Sequence, residues 1–135
     1  MRSRLTVVLV LLAAASIVAG ASSAPATIRF KAVLKAPKTN PKVNVRWYYS
    51  ITVTDLKGRP IRATITAHIL DPLGGIHPVD YGPTQKPILN FPFKGTFRDW
   101  LTFPPESKGF QLTIRWTIKA LGAKRVVKRV VVPQP

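Results

Sequence analysis

Residues 110–119 read FQLTIRWTIK, and this stretch alternates apolar and polar side chains without a break. The apolar positions of the alternation are Phe110, Leu112, Ile114, Trp116 and Ile118. Successive side chains of a strand point to opposite faces of its sheet, so the pattern predicts a strand with one buried and one exposed face. We expect Trp116 to be among the most buried side chains of the protein.

The same two-residue period recurs on both sides of this strand. It predicts further strands within residues 27–35, 43–54, 61–70, 94–103 and the C-terminal segment. The predicted inward positions include Val45, Trp47, Ile65 and, on the last strand, Val126, Val130 and Val132. Residues 71–87 are rich in proline and glycine, which predicts a long loop with at most one short edge strand. Two sheets packed face to face would bury all these apolar faces, so the sequence predicts an all-β antiparallel sandwich of about seven strands.

The turn that follows residues 43–54 reads VTDLKGRPI at residues 53–61. It resembles the V-x-D-x-x-G-x-P-V turn of bacterial immunoglobulin-like domains. Gly95-Thr96-Phe97, Phe103-Pro104 and GFQLTIRW at residues 109–116 are similar to the closing strands of such domains in exported actinobacterial proteins. The resemblance implies a single immunoglobulin-like β-sandwich and a location outside the cytoplasm, but it implies no particular reaction.

The N-terminus has the composition of an export signal. Arg2 and Arg4 precede an apolar run over residues 5–19, which small residues follow. A membrane-spanning helix normally needs ~20 apolar residues, and this run is shorter. We therefore predict a signal peptide over residues 1–21 and a secreted or extracytoplasmic protein. The alternatives are cleavage five residues later and an uncleaved signal that anchors the domain in the membrane.

The chain after the signal has the composition of one basic domain. Residues 22–42 are expected to form an N-terminal segment with the first strand, and residues 43–135 to complete the same sandwich. Without Arg2 and Arg4, 19 basic residues remain against five acidic ones, which gives a net charge of +14. Such a charge attracts polyanions. Because the chain has no cysteine, hydrophobic packing must stabilise the domain without disulfides.

Many basic residues occupy positions that alternate away from the predicted core. The candidate polyanion-binding residues are Arg29, Lys31, Arg46, Arg62, Arg115, Lys119, Lys124, Arg125, Lys128 and Arg129. Tyr48 shares the outward parity and is placed to stack on a sugar or a base, and Trp100 is expected to be an exposed contact residue. The alternative is that the cations only keep the surface soluble and prevent pairing at sheet edges.

The predicted partner is an anionic polymer of the cell envelope or another envelope protein. Nucleic acid is disfavoured, because export separates the protein from the cell's own DNA and the sequence has no nucleic-acid-binding motif. Contact with the membrane is expected only if the signal is not cleaved.

Signals for catalysis are weak. His68, Asp71, His77 and Asp80 form the one cluster of metal-type ligands in the sequence, and their spacing matches no known zinc ligand set. The sequence also has no cysteine and no Gly-x-Ser-x-Gly elbow for a nucleophile. We therefore predict a non-enzymatic binding or structural module at the cell surface, with no cofactor and no metal site. The alternative is a metal-dependent extracytoplasmic enzyme that uses residues 68–80.

Overall fold

The computed structural model describes residues 29–135, so the predicted signal peptide lies outside the described residues. The elements, in chain order, are β1 (Phe30–Lys35), β2 (Trp47–Asp55), β3 (Arg62–Leu70), β4 (Ile76–Pro78), β5 (Asp80–Tyr81), β6 (Lys86–Pro87), β7 (Phe91–Lys94), β8 (Thr96–Leu101), a 3-10 turn (Pro105–Ser107), β9 (Leu112–Ala120) and β10 (Ala123–Val131). Seven of the strands have four residues or more, which confirms the predicted all-β fold.

The strands form two main antiparallel sheets. The first is three-stranded, in the order β1-β2-β8. The second is five-stranded, in the order β10-β9-β3, with β4 and β7 both pairing with the far edge of β3. Strands β5 and β6 form a separate two-stranded ladder. The two main sheets pack as a β-sandwich, as the alternation predicts.

The core lies between these two sheets and consists of the apolar side chains that alternate along their strands. Among its fully buried side chains are Phe30, Ile51, Ile65, Ile114, Trp116 and Ile118. The ring of Trp116, from one sheet, lies 4.9 Å from the ring of Tyr49 in the other, measured between centroids. The prediction that Trp116 is deeply buried is therefore confirmed, and this ring joins the two sheets.

Two apolar residues at the starts of predicted strands are exposed instead of buried. Val45 is 52% exposed and Phe110 is 55% exposed. Asn44, with φ of 59°, and Gly109, with φ of 81°, turn the chain directly before them. Burial therefore follows the alternation only from the first residues of β2 and β9 onward. The prediction that Val45 and Phe110 belong to the inner face is wrong.

The last strand has the parity opposite to the predicted one. In the register with β9, Val127 and Val131 lie opposite buried residues of that strand and face the core. Val126 and Val130 consequently lie on the outer face, where about half of each side chain is exposed. Val132 follows the strand and is half-buried. Because β10 carries valine at both parities, alternation alone does not identify its inner face.

The stretch predicted as a long loop contains three short strands, β4, β5 and β6. Val79 and Ile88 are buried in the core, and the Ile88 N–H donates to the Val79 carbonyl at 2.8 Å. These two apolar residues attach the β5–β6 hairpin to the sandwich. The prediction of at most one short edge strand is therefore wrong.

The turn of the VTDLKGRPI motif is stabilised by a single carboxylate. Asp55 Oδ1 accepts hydrogen bonds from the backbone N–H groups of Lys57 and Arg59, both at 2.9 Å, and Oδ2 accepts from Arg59 Nε at 2.7 Å. Gly58 has a φ of 82°, in the left-handed region that favours glycine. The motif thus joins β2 of one sheet to β3 of the other.

The segment between β1 and β2 is hydrogen-bonded to the C-terminal residues. The Gln134 N–H donates to the Pro41 carbonyl, and the Val43 N–H donates to the Gln134 carbonyl, both at 2.8 Å. Asn40 Oδ1 accepts from the Val132 N–H at 3.0 Å. These bonds connect residues 40–43 to residues 132–134.

Candidate polyanion-binding face

The outer side of the five-stranded sheet carries six cations, which we call the cationic face. They are Arg62, Lys94, Arg115, Lys119, Lys124 and Lys128. Each of them alternates along its strand with side chains that contribute to the core. No aspartate or glutamate occurs in β3, β4, β7, β9 or β10, the strands of this sheet as the structure describes it. The face therefore has a single sign of charge.

The strand register places these cations in directly opposed pairs. Lys119 lies opposite Lys124, and Arg115 lies opposite Lys128, both across the β9–β10 ladder. Arg62 lies opposite Lys94 across the β3–β7 ladder. Side chains opposite each other in antiparallel strands have Cβ atoms about 4.5–5.5 Å apart, and like charges in that arrangement destabilise the sheet.

No neighbouring carboxylate offsets this repulsion. The ion pairs found within residues 29–135 are Arg59–Asp55, at 2.7 Å, and His77–Asp71, at 2.7 Å, and neither includes a member of the cationic face. An anion bound from solution would remove the repulsion, and the face would then gain the attraction of six charges. The face therefore concentrates positive charge that no carboxylate of the described residues offsets.

A depression at one end of the face provides a position for an acidic group. Its volume is about 610 Å³, and its lining includes Thr64, Lys119 and Lys124. The Thr64 hydroxyl is a hydrogen-bond donor, and the two ammonium groups are strong donors to phosphate or carboxylate. This depression lies beside the two-residue turn of the β9–β10 hairpin, where Leu121 and Gly122 have φ values of 50° and 70°.

The middle of the face contains two buried nitrogen atoms without partners. His68 lies opposite Arg115 in the β3–β9 ladder. His68 Nδ1 and Arg115 Nε are buried and make no hydrogen bond to any residue that the structure describes. Buried polar atoms are normally hydrogen-bonded, so these two nitrogen atoms are an unusual feature of the face.

Five of the ten residues predicted from the sequence lie on the cationic face. They are Arg62, Arg115, Lys119, Lys124 and Lys128. Lys94 also belongs to it, and sequence reasoning missed that residue. The signal was present in FPFK at residues 91–94, where Phe91 and Phe93 take the inward parity and Lys94 the outward one. The stretch is too short for its alternation to be distinctive.

Arg125 and Arg129 lie elsewhere, at the rim between the two sheets. They share the inward parity of Val127 and are half-buried. Arg129 Nη1 donates a hydrogen bond to the Pro37 carbonyl at 3.1 Å, which ties β10 to the segment after β1. The side chain of Arg129 therefore has a packing role, and the cationic face does not include it.

The remaining three predicted residues lie beside the other sheet. Arg29 directly precedes β1, Lys31 is the second residue of that strand, and Arg46 directly precedes β2. The Arg46 guanidinium carbon lies 4.4 Å from the centroid of the Trp100 ring, a cation–π contact. Trp100 has the outward parity that was expected, but it packs against Gly82 and is half-buried instead of exposed.

The four metal-type ligands of residues 68–80 do not come together. Asp71 Oδ2 lies 2.7 Å from His77 Nε2, and Asp71 Oδ1 accepts from the backbone N–H groups of Leu73 and Gly75. The hydrogen bond from His77 is the largest cause of the lowered pKa of Asp71. Within residues 29–135 no three histidine, cysteine, aspartate or glutamate side chains are arranged to hold a metal ion. Asp71 thus has a local role in closing its turn.

One carboxyl group is buried beneath the three-stranded sheet. Asp99 accepts hydrogen bonds from the Tyr49 hydroxyl, at 3.1 Å, and from the Gly82 N–H, at 2.9 Å. Burial raises the pKa of Asp99, because it disfavours the charged form. Burial, and then the charge of Asp99, also raise the pKa of Tyr49. Asp99 therefore fixes the β5–β6 hairpin against β8 from the inside.

Comparisons of the chain with protein-family models, with curated proteins and with solved structures give no match. The assignment to immunoglobulin-like domains therefore stays a prediction from the motifs. Within the described residues, no helix has the length and apolar character that a membrane span requires.

Proposed function

We propose that this protein is an exported, non-enzymatic binding module whose cationic face holds an anionic polymer of the cell envelope. The observation that carries the proposal is the set of three directly opposed cation pairs on one sheet. Such pairs lower the stability of the free protein. Their concentration on one surface is explained if that surface has an anionic ligand.

Solubility alone does not account for this distribution. A net charge keeps a domain soluble wherever the charges lie, and an even distribution would avoid the repulsion. Here Lys119 and Lys124 are directly opposed, as are Arg115 and Lys128, while the strands of their sheet carry no acid in the described structure. The arrangement favours a ligand that is itself a row of negative charges.

Protection of sheet edges accounts for only part of the set. Lysines on an edge strand prevent pairing with another chain, and this explains Lys124 and Lys128 on β10 and Lys94 on β7. Arg115 and Lys119 lie on β9, and Arg62 lies on β3, and both strands have neighbours on each side. These internal cations need a different explanation, which ligand binding supplies.

The spacing of the charges indicates a polymer with regularly repeated acidic groups. The two cation pairs of the hairpin are four residues apart along β9, which corresponds to about 13 Å along the strand. Phosphodiester or uronate repeats of an envelope polymer can contact both pairs at once. An acidic envelope protein is the other possible partner, and the predicted export signal places either one within reach.

The test is retention of the purified protein on cell envelope from the producing organism, over a series of salt concentrations. If four charges are neutralised, and the polymer has a charge density like that of DNA, binding should weaken on the order of 100-fold between about 50 and 200 mM salt. A variant with Lys94, Lys119, Lys124 and Lys128 all changed to Gln should bind weakly and show a much smaller salt dependence.

A matched control variant loses the same charge from other surfaces. It changes Lys38, Lys57, Lys86 and Lys108 to Gln, and all four of these lysines are exposed. We expect its retention and its salt dependence to stay close to those of the unchanged protein. Equal losses in the two variants would show that only net charge matters, and retention that is independent of salt would contradict the proposal.

A further inference from the structure

The three-stranded sheet has an outer groove of a different chemistry. Its volume is about 720 Å³, and we call it the aromatic groove. The residues that line it and have the outward parity of their strands are Lys35, Tyr48, Ser50, Arg98 and Trp100. Tyr48 is 58% exposed on the outer face, so it presents a large aromatic surface to solvent beside the groove.

Two rows of side chains run across this groove. In the first row Tyr48 lies opposite Trp100, with the ring centroids 6.1 Å apart and the planes inclined by 51°. In the second row Ser50 lies between Lys35 on β1 and Arg98 on β8. The rows are two residues apart along β2, which is about 7 Å. The groove therefore has an aromatic corner beside a row that carries a hydroxyl and two cations.

Trp100 is held in place as a wall of the groove. A Cβ atom on Gly82 would collide with the Trp100 ring, so the absence of a side chain at Gly82 lets the β5–β6 hairpin pack directly against the indole. The Arg46 guanidinium lies over the same ring at 4.4 Å. The wall is preorganised, and Tyr48 supplies the open aromatic surface.

The charge of the groove is positive. Lys35, Arg46 and Arg98 surround the aromatic corner. Asp99 lies between Arg98 and Trp100 in β8, but its carboxylate faces the core. There it accepts hydrogen bonds from the Tyr49 hydroxyl and the Gly82 N–H. A ligand that complements this groove has one flat, weakly polar face and a negative charge about 7 Å away from it.

We propose that the aromatic groove binds one sugar ring of an acidic polysaccharide. The C–H face of the ring packs on Tyr48 against the Trp100 wall, and the carboxylate of that ring or its neighbour is bound by Arg98 and Lys35. The Ser50 hydroxyl is placed to hydrogen-bond a ring hydroxyl. This site lies on the sheet opposite to the cationic face, and it does not depend on the function proposed for that face.

A single-stranded nucleic acid has bases that stack on aromatic rings and a charged backbone, so it is the rival ligand. The polysaccharide is favoured for two reasons. The groove presents one open aromatic ring, whereas a nucleic-acid strand uses a series of them. The predicted export signal also places the protein where envelope polysaccharides occur.

The experiment is a titration with a galacturonic acid oligosaccharide, followed by tryptophan fluorescence. Of the three tryptophans, Trp47 and Trp116 are buried, so a change on binding reports on Trp100. We expect saturable quenching. The uncharged methyl-esterified form of the same oligosaccharide should bind with an affinity lower by about tenfold or more. Equal affinity for the charged and uncharged forms would overturn the proposal.

Variants of the exposed tyrosine test the stacking. Tyr48→Ser should weaken binding by about tenfold or more, and Tyr48→Phe should retain it within about twofold, because only the hydroxyl is lost. The variant with Lys94, Lys119, Lys124 and Lys128 changed to Gln should bind the oligosaccharide as the unchanged protein does. No loss with Tyr48→Ser, or tighter binding of a single-stranded oligonucleotide than of the oligosaccharide, would show that the assignment is wrong.

Discussion

The two outer faces of this sandwich differ in chemistry although they enclose the same core. The five-stranded sheet presents six cations in opposed pairs, with threonine and valine between them. The three-stranded sheet presents an aromatic corner with a few cations around it. The inner parity of both sheets is fixed by packing, so the outer parity was left available for function. Each outer face departs from what stability alone would favour, and this departure is the reason for proposing a binding role for each.

The largest change in stability is expected in the core, where the two sheets pack against each other. Trp116 is fully buried and packs on Tyr49 from the other sheet. Trp116→Ala should lower the free energy of unfolding by about 3–5 kcal/mol, since it removes a large side chain and leaves a cavity. Urea unfolding followed by circular dichroism measures this loss. A loss below about 1 kcal/mol would mean that the sheets do not depend on this contact.

A smaller effect should be confined to the three-stranded side. In Gly82→Ala the new methyl group would collide with the Trp100 ring, so the indole or the β5–β6 hairpin must move. We expect a destabilisation of about 1–3 kcal/mol, as for other overpacked sites. Binding to the aromatic groove should weaken, while salt-dependent retention through the cationic face should not change. A loss at both faces would show that they are coupled.

The protein should become more stable when one of the opposed cation pairs on the cationic face is replaced by a pair of opposite charges. Lys124→Glu places a carboxylate opposite Lys119 and should raise the free energy of unfolding by about 0.2–1 kcal/mol. The same change should weaken retention on cell envelope. The matched control is Lys31→Glu, because Lys31 lies opposite the uncharged Thr54 in the three-stranded sheet. This control should neither raise the free energy of unfolding nor weaken retention. A destabilisation by Lys124→Glu would contradict the account of repulsion.

The finest test is the pH dependence of stability. The pKa of Asp99 is raised in the folded state, so the folded protein holds its proton to higher pH than the unfolded chain. Its contribution to stability is therefore present at low pH and is lost as the pH rises through the folded pKa. Relative to Asp99→Asn, the unchanged protein should become less stable as the pH rises from about 4, the ordinary pKa of the group. A constant difference between the two would contradict this.

Asp55 and Asp71 act in the opposite direction. Hydrogen bonds lower the pKa of each, mainly from the Arg59 backbone for Asp55 and from the His77 side chain for Asp71. Their contribution is present above the unfolded pKa and is lost as the pH falls. Both remain in Asp99→Asn, so the comparison with that variant isolates the buried carboxyl.

Sequence alternation predicted the sheets where one parity is clearly apolar. In β9 the inner parity is Leu, Ile, Trp and Ile against threonine and charged residues, and the structure agrees at each position. In β10 valine occurs at both parities, so the inner face is decided by the register with β9 across the Leu121–Gly122 turn. A tertiary constraint of this kind has no counterpart in local periodicity.

The candidate sites could be predicted only in part. Cations on long strands, such as Arg115 and Lys119, were found because their neighbours in sequence are apolar. Their pairing with Lys128 and Lys124 depends on strand register, and the pairing of Arg62 with Lys94 joins strands that residues 71–90 separate in the sequence. The aromatic groove depends in the same way on β2 and β8 being neighbours, which sequence patterns do not specify.

The Leu121–Gly122 turn also bears on how fast the protein folds. A hairpin closed by two residues forms in about 1–10 μs, whereas pairings such as β2 with β8 require the closure of a long loop. Among the described ladders, the β9–β10 hairpin has the shortest connecting turn, and closing it brings Lys119 to Lys124 and Arg115 to Lys128. We therefore expect added salt to speed refolding by screening the nascent hairpin, so that the ionic strength in which the chain folds helps to set its folding rate.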